Sequence, residues 1–147
     1  LFDRLADLGA EAAVEALDLI EGGAARYEPQ DTSLVTLAPK LTKDDGRIDF
    51  DRDPEAVARH VRAMTTWPGA RTRLPDGRDL VVLEAEPTES SAGTPAAAGT
   101  LVDGPGLVVQ ARGGAVRLRR LKPAGKGAMD DDAFLNGARL EPGERLG

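Results

Sequence analysis

The sequence predicts a mainly β protein with flanking helices: a small five-stranded barrel preceded by an N-terminal helix and a linker. Three observations lead there. Apolar residues recur at helical spacing only over residues 2–21, 54–64 and a short stretch after Asp130. Short alternating runs separated by glycine and proline turns fill 70–122. Finally, 147 residues with only five aromatics suffice for one modest core and exclude a multidomain enzyme.

Residues 2–21 set Leu5, Leu8, Ala12, Ala16, Leu19 and Ile20 near one side and Asp7, Glu11, Glu15 and Asp18 near the other. That is the period of an amphipathic helix, stopped by Gly22 and Gly23. Gly9 weakens its middle by about 1 kcal/mol relative to alanine, which leaves a late start or a break open. The chain opens on Leu1 and Phe2, already inside this pattern and without methionine, and reads as a piece of something longer. From Ala24 to Asp53 turn formers dominate, an extended crossing that carries Lys40, Lys43 and Arg47.

Asp53-Pro54-Glu55 supplies an N-cap, a first-turn proline and a first-turn acid, and Val57, Val61 and Met64 continue a helix over 54–64. After Trp67-Pro68-Gly69 come strands at 70–74 and 78–86 joined by Pro75-Asp76-Gly77, a hairpin in which Leu80, Val82 and Glu84 share one side. Residues 87–98 should form a mobile loop. Three more strands follow at 99–103, 106–112 and 115–122, the last two joined by a Gly113-Gly114 turn. Asp130-Asp131-Asp132 then precedes a short helix ended by Gly137, with acids where the helix dipole favours them.

Catalytic chemistry is nearly absent. The chain has no cysteine and a single histidine, His60, which reads as a packing or surface residue because no nucleophile or second base accompanies it. Asp49, Asp51 and Asp53 do not make a calcium loop, since Pro54 and His60 stand where glycine and glutamate are needed. No catalytic residue and no metal site is therefore assigned. Trp67, between a helix and a proline turn, reads as a structural anchor rather than a stacking surface. With no membrane span and no signal peptide, the expected location is the cytoplasm.

The net charge of −6 hides a polarised distribution. Residues 1–103 carry 20 acids and 11 bases, whereas 104–129 carry six bases and no acid. The acid-free stretch is either a local positive surface that attracts a polyanion or a solvated strand face. In 116–122 the alternation sends Val116 and Leu118 inward and Arg117 and Arg119 outward, a candidate phosphate clamp. Leu121 has the parity of the arginines, so the strand either bulges near Arg120 or ends there.

In order along the chain stand Leu5-Ala6-Asp7-Leu8-Gly9-Ala10, Leu37-Ala38-Pro39-Lys40-Leu41-Thr42-Lys43 and Gly46-Arg47-Ile48-Asp49-Phe50. Val61-Arg62-Ala63-Met64, Trp67-Pro68-Gly69-Ala70, Leu121-Lys122-Pro123-Ala124-Gly125-Lys126-Gly127-Ala128-Met129, Phe134-Leu135-Asn136-Gly137 and Pro142-Gly143 follow. This colinear set resembles the C-terminal part of the methionyl-tRNA formyltransferase family. Departures are Thr66 for a frequent proline, Phe50 for a frequent tryptophan and Gly127 for a frequent second lysine.

The resemblance implies a barrel of oligonucleotide-binding (OB-like) type. It divides the chain into a helix left from the N-terminal catalytic domain at 1–23, a linker at 24–46 and a tRNA-binding domain at 47–147. The implied parent is a transferase of protein biosynthesis that moves a formyl group from 10-formyltetrahydrofolate to the methionine of initiator methionyl-tRNA in translation initiation. No position here matches its catalytic Asn, His and Asp, so the fragment is expected to hold no cofactor and to be inactive alone. Its partners would be initiator methionyl-tRNA and the N-terminal catalytic domain, with no membrane. Lys40 and Lys43 from the linker, Arg117, Arg119 and Lys122 from the barrel and Lys126 from the following loop would hold the tRNA backbone. Two alternatives stand beside this: the C-terminal domain of a sugar-nucleotide or folate formyltransferase, or a non-binding structural module.

Overall fold

The computed structural model describes residues 1–89 and 96–147, so 90–95 of the expected mobile loop lie outside the described residues. Two units divide the chain, Leu1–Ala38 and Pro39–Gly147. In the first, helix α1 (Phe2–Glu21) runs unbroken through Gly9, and the Gly22 amide bonds to the Asp18 carbonyl. None of its residues is buried; Leu5, Leu8, Leu17 and Ile20 all stand exposed. A 3₁₀ turn at Thr32–Leu34 interrupts the extended stretch, capped by Asp31, whose carboxylate accepts from the Ser33 amide at 2.9 Å.

In the second unit a 3₁₀ turn at Asp44–Gly46 precedes helix α2 (Pro54–Met64). The Asp53 carboxylate accepts from the Ala56 amide at 2.8 Å, and Ala56, Val57, Ala58 and Val61 form the buried face. The turn after α2 rests on Gly46, where a Cβ would collide with the Gly69 carbonyl oxygen, so only glycine permits the approach. That turn buries Pro68 and leaves Trp67 54% exposed. Trp67 is therefore not the anchor expected of it; the neighbouring proline ring takes that place.

Among the described residues six antiparallel strands follow: β1 (Ala70–Arg73), β2 (Asp79–Thr88), β3 (Leu101–Val102), β4 (Val108–Ala111), β5 (Gly114–Pro123) and β6 (Met129–Asp130). Their order is β1-β2-β5-β4-β3, with β6 on β5. The expected hairpin pairs Arg73 with Asp79. Residues 87 and 88 of the expected loop continue β2. The β4–β5 turn is Arg112-Gly113, not Gly113-Gly114, because Ala111 pairs with Gly114 while the Arg112 amide bonds to the Arg52 carbonyl at 3.0 Å.

The expected five-stranded barrel is corrected on two counts. β6 adds a strand, and no ladder joins β1 to β3, so the sheet is open. An irregular C-terminal segment runs along both free edges instead. Gly143 and Leu146 donate to the carbonyls of Leu101 and Gly99, each at 2.8 Å, and Gly147 donates to that of Arg73 at 3.1 Å. These bonds satisfy edge groups that a two-residue β3 is too short to pair as a strand.

β5 pairs with β2, β4 and β6. Its register with β2 pairs Val82 with Leu121, Glu84 with Arg120 and Ala85 with Leu118, passing over Leu83 and Arg119. The bulge lets Leu118 and Leu121 both lie fully buried, which strict alternation forbids. The same irregularity turns Glu84 outward, away from the side of Leu80 and Val82. The main core gathers Ile48, Phe50, Val61, Leu80, Leu118 and Phe134 with their neighbours.

Helix α3 (Asp131–Gly137) is tied down by its first residue. Asp131 is 2% exposed. Its carboxylate accepts from Arg117 Nε at 2.7 Å, from Arg117 Nη2 at 3.2 Å and from the Leu107 amide at 3.2 Å. Burial pushes the Asp131 carboxyl up, but the Arg117 hydrogen bond and charge and the amides of Leu107 and Asp132 outweigh it and hold the group below the usual carboxylate value. Gly106, at φ +84°, closes over the pair; a Cβ there would strike the Asp131 carboxylate and the Arg117 guanidinium.

Asp131→Asn leaves Arg117 with only the exposed Asp132 carboxylate, at 4.0 Å, as a charge partner. The expected loss is about 3 kcal/mol at pH 7, the lower end for removing one member of a buried pair. Because the folded carboxyl titrates below the unfolded one, its stabilisation is complete above the unfolded value near pH 3.9 and is lost as the pH falls through it toward the lower folded value. Thermal unfolding at pH 7 and pH 3 should therefore show the gap between wild type and variant closing at acid pH. A second variant, Gly106→Ala, should also unfold at lower temperature, through strain and collision rather than lost charge.

Candidate nucleic-acid interface

Strand β5 presents most of the bases of the acid-free stretch, and the fold decides which of them remain available. Arg117 is committed to Asp131, with only 20% of its side chain exposed. The outward clamp of Arg117 and Arg119 is thus reduced to Arg119. That side chain is 51% exposed and lies 3.3 Å from a carboxylate oxygen of Glu86 across the β2 pairing. Arg120 reaches Asp130 at 3.1 Å and Arg112 reaches Asp51 at 3.0 Å. The Asp51 contact holds the Arg112 guanidinium above its usual value, chiefly through the hydrogen bond.

A stretch free of acids in sequence is therefore not free of them in space. Four of its bases face carboxylates contributed by β2, by the segment before α2 and by the residues around α3. Among the described residues Lys122 and Lys126 have no ion pair or side-chain hydrogen bond, and both are exposed. Lys126 sits in the turn after β5, its amide bonded to the Pro123 carbonyl at 3.1 Å. Lys40 and Lys43 are likewise exposed and unpaired among the described residues.

The structure adds residues that the linear reading did not single out. Lys122 is opposite Val81, Val81 opposite Arg71, and Arg71 bridges to Arg47, so the cations form a row across the sheet. Arg47, Arg71, Arg73 and Lys43 share a cleft of about 230 Å³ with Asp44 and Asp79. The alternation of Arg71 and Arg73 in β1 is the one sequence signal for this group; the pairing that brings residues 47–48 alongside is non-local. His60 lies on α2, half-buried, with Nε2 buried and unpartnered among the described residues. No group of three or more His, Cys, Asp or Glu among the described residues could hold a metal ion. No helix among them is long and apolar enough to cross a membrane. What the cations of the described surface offer chemically is attraction of an anion.

The family model described as formyl transferase, C-terminal domain, matches residues 40–139. The chain belongs to this family. Methionyl-tRNA formyltransferases of Geobacter sulfurreducens and Acidiphilium cryptum are each 40% identical to it over 100% of its length. That of Chlamydia trachomatis serovar L2b is 39% identical over 93%. The chain spans just under half of these relatives, 45–46% of each. Among solved structures, HypX from Aquifex aeolicus in complex with tetrahydrofolic acid aligns with a TM-score of 0.57 at 25% identity, over 85% of this chain and 22% of that one. A substituted HypX variant aligns at 0.59 and 23% identity, over 90% and 24%, a likeness of fold. This formyl transferase C-terminal domain thus shares its architecture with a protein of different name and its sequence more closely with the tRNA enzymes.

Within it the cations fall into two classes that a stability measurement separates. Arg117→Gln should lower the melting temperature markedly, whereas Lys122→Gln and Lys126→Gln should leave it unchanged, since neither lysine has a partner to lose. Thermal unfolding of the three variants at neutral pH checks this.

Proposed function

We propose that this chain is the tRNA-engaging C-terminal part of a methionyl-tRNA formyltransferase, without catalytic activity of its own. On this reading the parent transfers a formyl group from 10-formyltetrahydrofolate to initiator methionyl-tRNA during cytoplasmic translation initiation, with its catalytic groups in an N-terminal domain. The observation that carries it is the alignment of the whole chain, at about 40% identity, with proteins so named. The alternative of a folate formyltransferase has beside it only the HypX structure in complex with tetrahydrofolic acid, at 25% identity.

Residues 1–23 are then the last helix of the catalytic domain, 24–46 the linker and 47–147 the tRNA-binding domain. Its architecture is OB-like, with the C-terminal segment lying where a closing strand would run. The exposed apolar side chains of α1 suit a helix that packs elsewhere in the longer protein. Lys40 and Lys43, Arg119 and Lys122, and Lys126 contact the sugar–phosphate backbone and orient the acceptor arm, while Arg117 acts indirectly by holding β5 to α3. Bases are not read here; the interface supplies position, and the other domain supplies chemistry.

Titration of the chain with an initiator tRNA transcript at about 50 and 200 mM salt tests this reading. Binding should weaken with salt along a log–log slope of roughly four or more, about 0.9 for each phosphate neutralised, and the double variant Lys122→Gln/Lys126→Gln should lower that slope by about two. No binding at the lower salt concentration would overturn it.

A further inference from the structure

Lys43, Arg47, Arg71 and Arg73 come from two segments separated by the whole of α2, yet they line one cleft on the free edge of β1. The assembly is built from backbone contacts. The Ile48 amide donates to the Arg71 carbonyl at 2.9 Å, laying residues 47–48 along the strand. Gly46 passes so close to Gly69 that no side chain fits between them. The Arg71 guanidinium is held in place by donating from Nη2 to the Pro68 carbonyl at 2.7 Å. Four cations thus face two acidic side chains, Asp44 and Asp79, and the terminal Gly147, in a chain whose net charge is −6.

Their hydrogen-bonding capacity is mostly unspent. Arg73 meets Asp79 only at 3.5 Å. The side chains of Lys43 and Arg47 have no ion pair or hydrogen bond among the described residues. Arg71 Nε is buried with no partner among the described residues. Buried donors without partners are costly, and forked guanidinium groups match the oxygens of a phosphate. Trp67, exposed beside the Pro68 that fixes Arg71, adds an aromatic ring of the kind on which an RNA base stacks. Lys122 continues the row two strands away, roughly 10 Å across the sheet.

We propose that the cleft formed by Lys43, Arg47, Arg71 and Arg73 seats a phosphate group of the RNA backbone, so that the tRNA extends over the β1 edge of the domain. The proposal takes its ligand from the tRNA reading and its geometry from the cleft alone. Arg71 and Arg73 supply the contacts from the strand, and Arg47 and Lys43 close from the side of residues 43–47. The linker end and the strand edge therefore act as one binding element.

Two titrations of the whole chain separate the cleft from the reading it rests on. With inorganic pyrophosphate as probe, the backbone amide resonances of Gly46 to Ile48 and Arg71 to Arg73 should shift together, and Arg47→Gln should remove the shifts. With tRNA, Arg47→Gln and Arg73→Gln should each lower the salt slope by about one, while Arg62→Gln, on an exposed helix face, leaves it unaltered. Pyrophosphate that leaves these amides unmoved, or tRNA binding with an undiminished slope in both cleft variants, overturns the cleft and spares the tRNA reading. Pyrophosphate binding in the cleft of a chain that ignores tRNA at low salt overturns the RNA as its ligand and the tRNA reading with it.

Discussion

Much of this domain is organised by one buried ion pair, Arg117 with Asp131. It joins the central strand β5 to α3, and through the Leu107 amide it also fixes the turn between β3 and β4. Gly106 lacks a side chain because the pair leaves no room for one. A carboxylate this deeply buried is tolerable only with its charge compensated and its lone pairs occupied; both conditions are met by a guanidinium and backbone amides. Cationic surface is the cost, since Arg117 is lost to any ligand.

The same logic runs through the rest of the charge pattern. Release of counterions by a polyanion requires cations that are not already neutralised, and Arg112, Arg119 and Arg120 each face a carboxylate across the fold. Those pairs are exposed and individually weak, so they damp the local field more than they stabilise the protein. Free positive charge remains at the linker lysines, at Lys122 and Lys126, and around the β1 edge. That is the charge pattern of this formyl transferase C-terminal domain, which spans just under half of its relatives.

Local features were legible because local physics decides them. Helix α2 follows from the Asp53 cap and Pro54, α1 from its apolar period, and the bulge near Arg120 from the parity conflict between Leu118 and Leu121. What misled the reading was non-local. The outward turn of Glu84 depends on where β2 loses register with β5, the exposure of Trp67 on Pro68 filling the site beneath the turn, and the open sheet on β3 being only two residues long.

By itself the sequence determined the local elements, the family resemblance and the inventory of cations, because composition and period are properties of neighbouring residues. Tertiary structure alone decided which cations are available. The carboxylates that neutralise Arg117 and Arg119 come from α3 and β2, 14 and 33 residues away. Arg47 and Arg71 stand side by side only because Ile48 pairs with the edge of β1. Electrostatic fields depend on distance through space, which linear order does not specify.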